Sequence, residues 1–168
     1  MNEVMRETAR SAWISADQKY RYGLRRTWDT DGFNVTFIML NPSTASAYQD
    51  DPTIRRCVRF AKDAGAGELV VANLYGLRAT EPAELWRAED PVGPQNDEIL
   101  KIYANEADLL VAAWGAYGPD ERVNEVVKLL DDVDEGMNIH CLGTTKMGHP
   151  RHPLYVRADQ PFVKWERP

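Results

Sequence analysis

The fold of this chain is decided by the stretch Val35-Thr36-Phe37-Ile38-Met39-Leu40-Asn41-Pro42, an apolar run that ends abruptly at an Asn-Pro pair. A run of this kind, partly β-branched, predicts a strand that is buried on both faces. Pro42 cannot donate a ladder hydrogen bond, and it pushes the residue before it into extended geometry. We therefore expect Asn41 at the carboxyl end of this strand, which is the edge of an open α/β sheet where ligands bind.

Three more apolar runs follow the first, and they alternate with stretches of helical periodicity. The further strands are predicted at residues 68–73, 108–114 and 139–143. Helices are predicted to begin at Asp51-Pro52, with Asp51 as the N-cap, and to cover residues 82–89, 96–107 and 119–130. This order predicts one α/β domain over residues 1–168, a three-layer αβα sandwich with a mostly parallel four-stranded central sheet.

The N-terminal part of the chain predicts an antiparallel hairpin at one edge of the sheet. Residues 19–28 alternate as a strand does, and Asp29-Thr30-Asp31-Gly32 is a turn signal before the first buried strand. The turn would pair these two strands directly. Residues 1–17 are expected to form a short helix or a loose arm.

Composition and charge limit the classes of function. The chain has 168 residues, a net charge of −6 and neither a membrane-length apolar run nor a signal-peptide pattern, so we expect a cytoplasmic monomer. The acidic balance argues against non-specific coating of nucleic acid but leaves room for a local basic face. With two cysteines, Cys57 and Cys141, a cysteine-ligated iron–sulfur cluster is excluded, and both thiols are expected to be reduced and buried. His149 and His152 fit no closed zinc pattern, so no metal or other cofactor is expected.

The predicted topology brings four strand ends to one edge of the sheet. That edge would carry Asn41, Asn73, Trp114-Gly115 and the loop of residues 143–155. The clustering follows from parallel strand order alone, and it predicts a binding site at this edge.

These four strand ends resemble, in order and approximate spacing, the motifs of the uracil-DNA glycosylase superfamily. The matching segments are Met39-Leu40-Asn41-Pro42, Val71-Ala72-Asn73-Leu74, the Trp-Gly strand end of residues 111–117, and His152-Pro153-Leu154. The chain also resembles the DUF1643 family, including its segment of residues 50–57, but that family name carries no activity. Met39 stands where the superfamily's first motif has Gly. Ser43 stands where uracil-specific members have a bulky Tyr, which favours a pocket open at the 5-position of a pyrimidine.

The resemblance assigns roles to the polar residues of the edge. Asn41 would position the attacking water, Asn73 would recognise the base, and His152 would stabilise the departing base. Asp50 or Asp51 would supply the carboxylate that an Asn cannot provide. Base-binding contacts are expected from Ser43, Tyr48 and Tyr75, and DNA phosphates from the cations Arg55, Arg56, Arg78, Lys146 and Arg151.

Simpler structural roles stay open for several of these residues. Asn41 is also suited to capping a turn, Asp51 to capping a helix, and the cationic helix face that includes Arg55 to solvation.

The function implied is a monofunctional DNA glycosylase, which flips out a pyrimidine and hydrolyses its glycosidic bond to leave an abasic site. The relaxed first motif favours a modified, 5-substituted pyrimidine, as in defence against phage with modified DNA. Two other functions stay open. One is an inactive module that binds nucleic acid or a modified base, and the other is a hydrolase of free nucleosides or nucleotides.

Overall fold

The elements of the fold are described for residues 9–167 by a computed structural model. They are β1 (Ala9–Ile14), β2 (Arg21–Thr27), β3 (Asn34–Met39), α1 (Pro52–Asp63), β4 (Glu68–Asn73), α2 (Pro82–Arg87), α3 (Asn96–Glu106), β5 (Leu109–Ala112), α4 (Asp120–Val133), β6 (Ile139–Cys141) and β7 (Val163–Lys164). Short 3-10 turns follow β5 at Gly115–Tyr117 and precede β7 at Pro153–Tyr155.

The sheet contains the four parallel strands that the sequence predicts, but it is larger than predicted. Its strand order is β1-β2-β4-β3-β5-β6-β7 over seven strands of the described residues. The neighbours β4-β3-β5-β6 are all parallel. The predicted four-stranded sheet is therefore wrong in extent, because β1 and β2 extend it antiparallel at one side and β7 at the other.

The predicted hairpin is wrong in its partners. β2 pairs with β4, and its other edge pairs with β1, so the hairpin at the edge of the sheet is β1–β2. The turn after β2 exists, but the backbone N–H groups of Trp28 and Asp29 donate to the carbonyl of Gly67, which places β4 between β2 and β3. Gly32 and Gly67 must touch for this to occur, since a Cβ on Gly32 would lie 2.5 Å from Gly67 Cα.

The short helix or loose arm predicted for residues 1–17 is also wrong where it overlaps β1. Ala9–Ile14 is an edge strand whose backbone pairs with β2. The remainder of that prediction, residues 1–8, lies outside the described residues.

Helices cover both faces of the sheet, as the three-layer prediction requires. Alternate β3 residues Val35, Phe37 and Met39 pack with α1, while Ile38 faces the opposite cluster, to which α3 and α4 contribute. This alternation is what a strand buried on both faces predicts. The narrower prediction of a uracil-DNA glycosylase-like fold stays a prediction.

The chain leaves β3 and β5 toward opposite faces of the sheet. β3 leads to α1, and its neighbour β5 leads to α4 on the other side. The two connections therefore diverge at the carboxyl ends of these strands and open a crevice there. Among the described residues, no helix has the length and apolar character needed to cross a bilayer.

Candidate functional site

A cavity of about 900 Å³ opens at this crevice. All four strand ends singled out in the sequence contribute to its wall, through Asn41, Asn73, Trp114 with Gly115, and His152. The volume lies in the range of small-molecule sites. The cavity is therefore the candidate site.

Asn41 is fixed by its amide nitrogen. Its Nδ2 donates to the carbonyl oxygens of Ala79 at 2.8 Å and Pro42 at 3.0 Å. Both amide protons are used in this way, so Oδ1 is the atom left to accept a hydrogen bond from a molecule in the cavity. The structural role of turn capping and the availability of Oδ1 thus coexist.

Asn73 is buried without hydrogen-bond partners for its side chain. The residue is 1% exposed, and neither Oδ1 nor Nδ2 has a partner among residues 9–167. The backbone around it is held firmly, since Asn96 Nδ2 donates to the carbonyls of Asn73 and Leu74 and Arg122 Nε donates to Leu74. A buried amide with no protein partner for either group is costly unless water or a ligand in the cavity pairs with it.

His152 is a neutral hydrogen-bond donor. Its Nδ1 accepts the backbone N–H of Leu154 at 3.1 Å, which leaves the ring proton on Nε2. Burial lowers the pKa of His152, against a smaller opposing effect of the Asp51 carboxylate. The loop before it is held by Gly115, whose N–H donates to Pro150 O at 2.9 Å.

Asp51 combines the structural role and the predicted one. Its Oδ1 accepts the backbone N–H of Ile54 at 2.9 Å and caps α1, as the Asp-Pro pair predicts. The same residue lines the cavity, together with Ser43. Asp51 is thus the predicted carboxylate that the fold brings to the site.

Asp50 lies elsewhere, so the structure does not support its predicted catalytic role. Its Oδ1 is ion-paired at 2.9 Å with Nε of Arg26, and Asp50 does not line the cavity. Arg26 is buried, and this pair anchors the loop that precedes α1.

Neither predicted aromatic base contact lines the cavity. Tyr48 is 83% exposed, whereas Tyr75 is buried against Trp86 and under the guanidinium of Arg122. The structure therefore does not bring these two tyrosines to the cavity, and their predicted base-binding roles stay predictions.

Of the five predicted phosphate contacts, Arg151 alone lines the cavity. Arg55 contacts the carbonyl of Asp50, Arg56 contacts the carbonyls of Pro153 and Val156, and both thus hold local structure. Lys146 is exposed on the turn after β6, and Arg78 is half-buried in the loop after β4.

Arg21 is a cavity residue that the sequence analysis missed. It is 2% exposed at the start of β2, and its Nη1 donates to Ala45 O at 2.7 Å. Burial lowers the pKa of Arg21 to about 10, Asp51 opposes this shift, and the charges of Arg78 and Arg26 add to it. The one feature of the sequence that could have indicated a buried Arg21 is its position between Tyr20 and Tyr22 in a predicted strand.

Exposed apolar side chains surround the mouth of the cavity. Trp86, Tyr117, Leu154 and Tyr155 all line it, and they are 48%, 68%, 44% and 79% exposed. Aromatic surfaces of this kind are suited to stacking on bases.

The described residues contain no group of three or more His, Cys, Asp and Glu side chains placed to hold a metal ion. Cys57 and Cys141 are buried free thiols, and burial raises the pKa of both. Their predicted structural role thus agrees with their surroundings.

Comparison with known proteins gives little beyond a family. A family model described as "Protein of unknown function (DUF1643)" matches residues 21–154. A search of curated proteins finds no match. Among solved structures, the chain is similar to the Leu-bound form of hetero-hexameric glutamate dehydrogenase from Thermus thermophilus, at 15% identity and a TM-score of 0.34. The match covers 75% of this chain and 30% of that one, and a score this low gives no basis for transferring fold or function.

Proposed function

Because the chain belongs to the DUF1643 family, whose description assigns no activity, we propose a function from the cavity itself, hydrolysis of the N-glycosidic bond of a pyrimidine in DNA. The observation that carries the proposal is Asn73, a fully buried amide that lines the cavity with its donor and its acceptor both unpaired. A side-chain amide matches a ligand edge that offers one acceptor beside one donor, as the Watson–Crick edge of a pyrimidine does.

The other polar groups supply what breaking this bond requires. A water molecule whose hydrogen bonds to Asn41 Oδ1 attacks C1′ of the sugar, and the C1′–N bond breaks with its electron pair passing to the base. His152 Nε2–H donates to the carbonyl oxygen on which the negative charge of the departing base develops. The second carboxylate oxygen of Asp51, the one not capping α1, accepts the proton that the attacking water loses.

The small side chain of Ser43 and the size of the cavity favour a base that carries a 5-substituent. The aromatic mouth favours a polymer over a monomer, because Tyr117 and Tyr155 offer surfaces on which neighbouring bases can stack. A modified pyrimidine of phage DNA satisfies both features, which would make this a defence enzyme.

A second candidate, hydrolysis of free pyrimidine nucleotides, is favoured by the placement of cations. Arg151 is the only predicted phosphate contact that lines the cavity, and the net charge is −6. A monomeric substrate needs no extended basic face, whereas a polymer gains affinity from one.

The test is an abasic-site assay. Oligonucleotides with uracil, 5-hydroxymethyl or glucosylated pyrimidines, and genomic DNAs, are incubated with the protein and then cleaved at abasic sites with hot alkali. We expect strand breaks on one substrate that disappear in Asn41→Ala and in His152→Ala. Excision that survives both substitutions would refute the assigned roles, and DNA binding without any breaks would favour an inactive binding module.

A further inference from the structure

Two buried arginines hold the loop before α1, but only one of them has a carboxylate partner. Arg26 donates to Ser46 O and is ion-paired with Asp50. Arg21 donates to Ala45 O, yet no carboxylate lies within hydrogen-bonding distance of it among the described residues, and its Nε is buried without a partner. The pairing that makes Arg26 tolerable in the interior is thus missing at Arg21.

A buried guanidinium without a directly bound anion is costly, and the Asp51 carboxylate in the same cavity wall offsets only part of that cost, since it makes no ion pair with Arg21. Arg21 differs from Arg26 in a second respect, because it lines the cavity. An oxyanion inside the cavity would supply the missing partner, and a guanidinium presents the forked donors that phosphate oxygens match.

The position of Arg21 in the sheet relates it to the proposed base contact. β2 lies beside β4, so the residues along the edge run in the order Arg21, Asn73, Asn41 and then Gly115 with His152. Arg21 is therefore next to Asn73, on the side away from His152. Two neighbouring cavity residues, one an amide and one a cation, each lack a hydrogen-bond partner at a buried atom.

We propose that Arg21 binds a phosphate group of the same nucleotide whose base pairs with Asn73, so that this phosphate enters the cavity. The inference rests on the proposed function only in taking the ligand to be a nucleotide. The phosphate has two possible sources, the backbone beside a flipped nucleotide or the monoester of a free nucleotide. The simpler alternative is that Arg21 only holds the loop through Ala45.

The substitution Arg21→Gln separates these roles, because a side-chain amide can still donate to a carbonyl but carries no charge. Arg59→Gln is the matched control, since Arg59 makes the same charge change on the exposed face of α1, where it pairs with Asp63. Thermal unfolding is measured in sodium phosphate and in sodium chloride of equal ionic strength. Binding of deoxyuridine and of its 5′- and 3′-monophosphates is measured by calorimetry.

We expect phosphate to raise the melting temperature of the wild type and of Arg59→Gln by the same amount, and that of Arg21→Gln by less. We also expect one monophosphate to bind the wild type at least about tenfold more tightly than deoxyuridine does, a preference that Arg21→Gln abolishes. Equal phosphate effects in all three proteins would overturn the proposal.

A measurement on the wild type alone covers the case in which Arg21→Gln does not fold. The Nε–H resonance of Arg21, which has no protein partner, is expected to shift when inorganic phosphate is added. The titration runs to about 100 mM phosphate, on the order of the largest dissociation constant that would matter. No shift of this resonance over that range would overturn the proposal.

Two further comparisons identify the phosphate and separate this inference from the proposed function. If Arg21→Gln binds a short single-stranded oligonucleotide more weakly than the wild type does, the phosphate that Arg21 binds belongs to a DNA backbone. If the substitution weakens the binding of monophosphates alone, the phosphate belongs to a free nucleotide. Phosphate binding at Arg21 without base release would refute the proposed function and leave this inference standing. Base release that is unchanged in Arg21→Gln would refute this inference and leave the proposed function standing.

Discussion

Replacing Asn73 with leucine is expected to stabilise the protein while abolishing base recognition. The side chain is buried at the carboxyl end of β4, and its Oδ1 and Nδ2 have no partners among residues 9–167. Leucine is larger than asparagine, but its side chain has the same number of heavy atoms with the same branching and no polar atoms. The substitution therefore removes two unsatisfied groups from the free protein without opening a large void.

The size of the effect follows from those two atoms. An unsatisfied buried polar group costs about 1–3 kcal/mol, and an imperfect fit of the branched leucine side chain takes back part of the gain. We expect a net stabilisation of about 1–3 kcal/mol, and a chain of this size gains about 2–4 °C in melting temperature for each 1 kcal/mol.

Asn96→Leu is the matched control, because the same change is made at an equally buried asparagine whose Nδ2 does have partners, while its Oδ1 has none among residues 9–167. Asn96 Nδ2 donates to the carbonyls of Asn73 and Leu74, and its loss removes this donor from both, although Leu74 O keeps the hydrogen bond from Arg122 Nε. We expect Asn96→Leu to destabilise the protein by about 1–3 kcal/mol.

Both variants are measured by urea unfolding and by base release on whichever DNA the wild type acts upon. Asn73→Leu is expected to be more stable than the wild type and inactive. Loss of stability in Asn73→Leu would mean that the amide is satisfied in the free protein, and retained activity would mean that it does not contact the base. Either result would refute the reasoning.

Three further predictions concern His152 itself and glycine and aspartate residues of the loops that build the cavity. Gly115→Ala forces a side chain at φ +77° on the residue whose N–H holds Pro150 O, so we expect the His152 loop to shift and base release to slow by about tenfold. Gly148→Ala, at φ +84° with open space around it, is the control; we expect it to lose similar stability, about 1–2 kcal/mol, without slowing base release. Asp50→Asn is expected to lower the free energy of unfolding in urea by about 3 kcal/mol, because it leaves a buried arginine without its carboxylate, and to leave base release by the folded protein unchanged. Asp51→Asn keeps a good N-cap, so we expect it to lose base release with little change in stability. If instead Asp50→Asn lost base release and Asp51→Asn lost stability, Asp50 would be the proton acceptor and Asp51 the structural residue. Burial lowers the pKa of His152 below its ordinary value of 6.5, so the unfolded chain takes up a proton more readily than the folded protein does. We therefore expect the free energy of unfolding to fall as the pH drops below about 6.5, and to fall less steeply in His152→Gln. Base release is expected to be independent of pH above neutral pH.

The parallel strands could be predicted from the sequence because each is a continuous apolar run that ends at a polar residue. Val35–Leu40 and residues 68–73 are patterns of this kind, and parallel order alone then brings Asn41 and Asn73 to the same edge. The antiparallel strands could not be placed in the same way. Alternation in β2 indicates a strand, but it does not identify the neighbour, and contact between Gly32 and Gly67 decides that β4 intervenes.

The sequence predicted the uncharged polar residues of the cavity wall better than the positions and pairing of its charged residues. Residue type and strand position were enough to find Asn73 and His152, whereas whether a cation is paired depends on contacts between distant segments. Asp50 and Arg26 meet across 24 positions of sequence, and nothing local distinguishes Asp50 from Asp51. For the same reason the burial of Arg21 could not be predicted, because its neighbours in the sequence do not distinguish it from an arginine on the surface.

The measurement that tests the central claim most directly is base release in H₂¹⁸O, followed by mass spectrometry of both products. Hydrolysis of the glycosidic bond by water predicts a free base that is unlabelled and an abasic sugar, with both products absent in Asn41→Ala; ¹⁸O on the sugar is not diagnostic, because the C1′ hemiacetal exchanges its oxygen with solvent. Label in the base, or a base modified while still attached to its sugar, would contradict the account, because the water would then have attacked the ring instead of C1′.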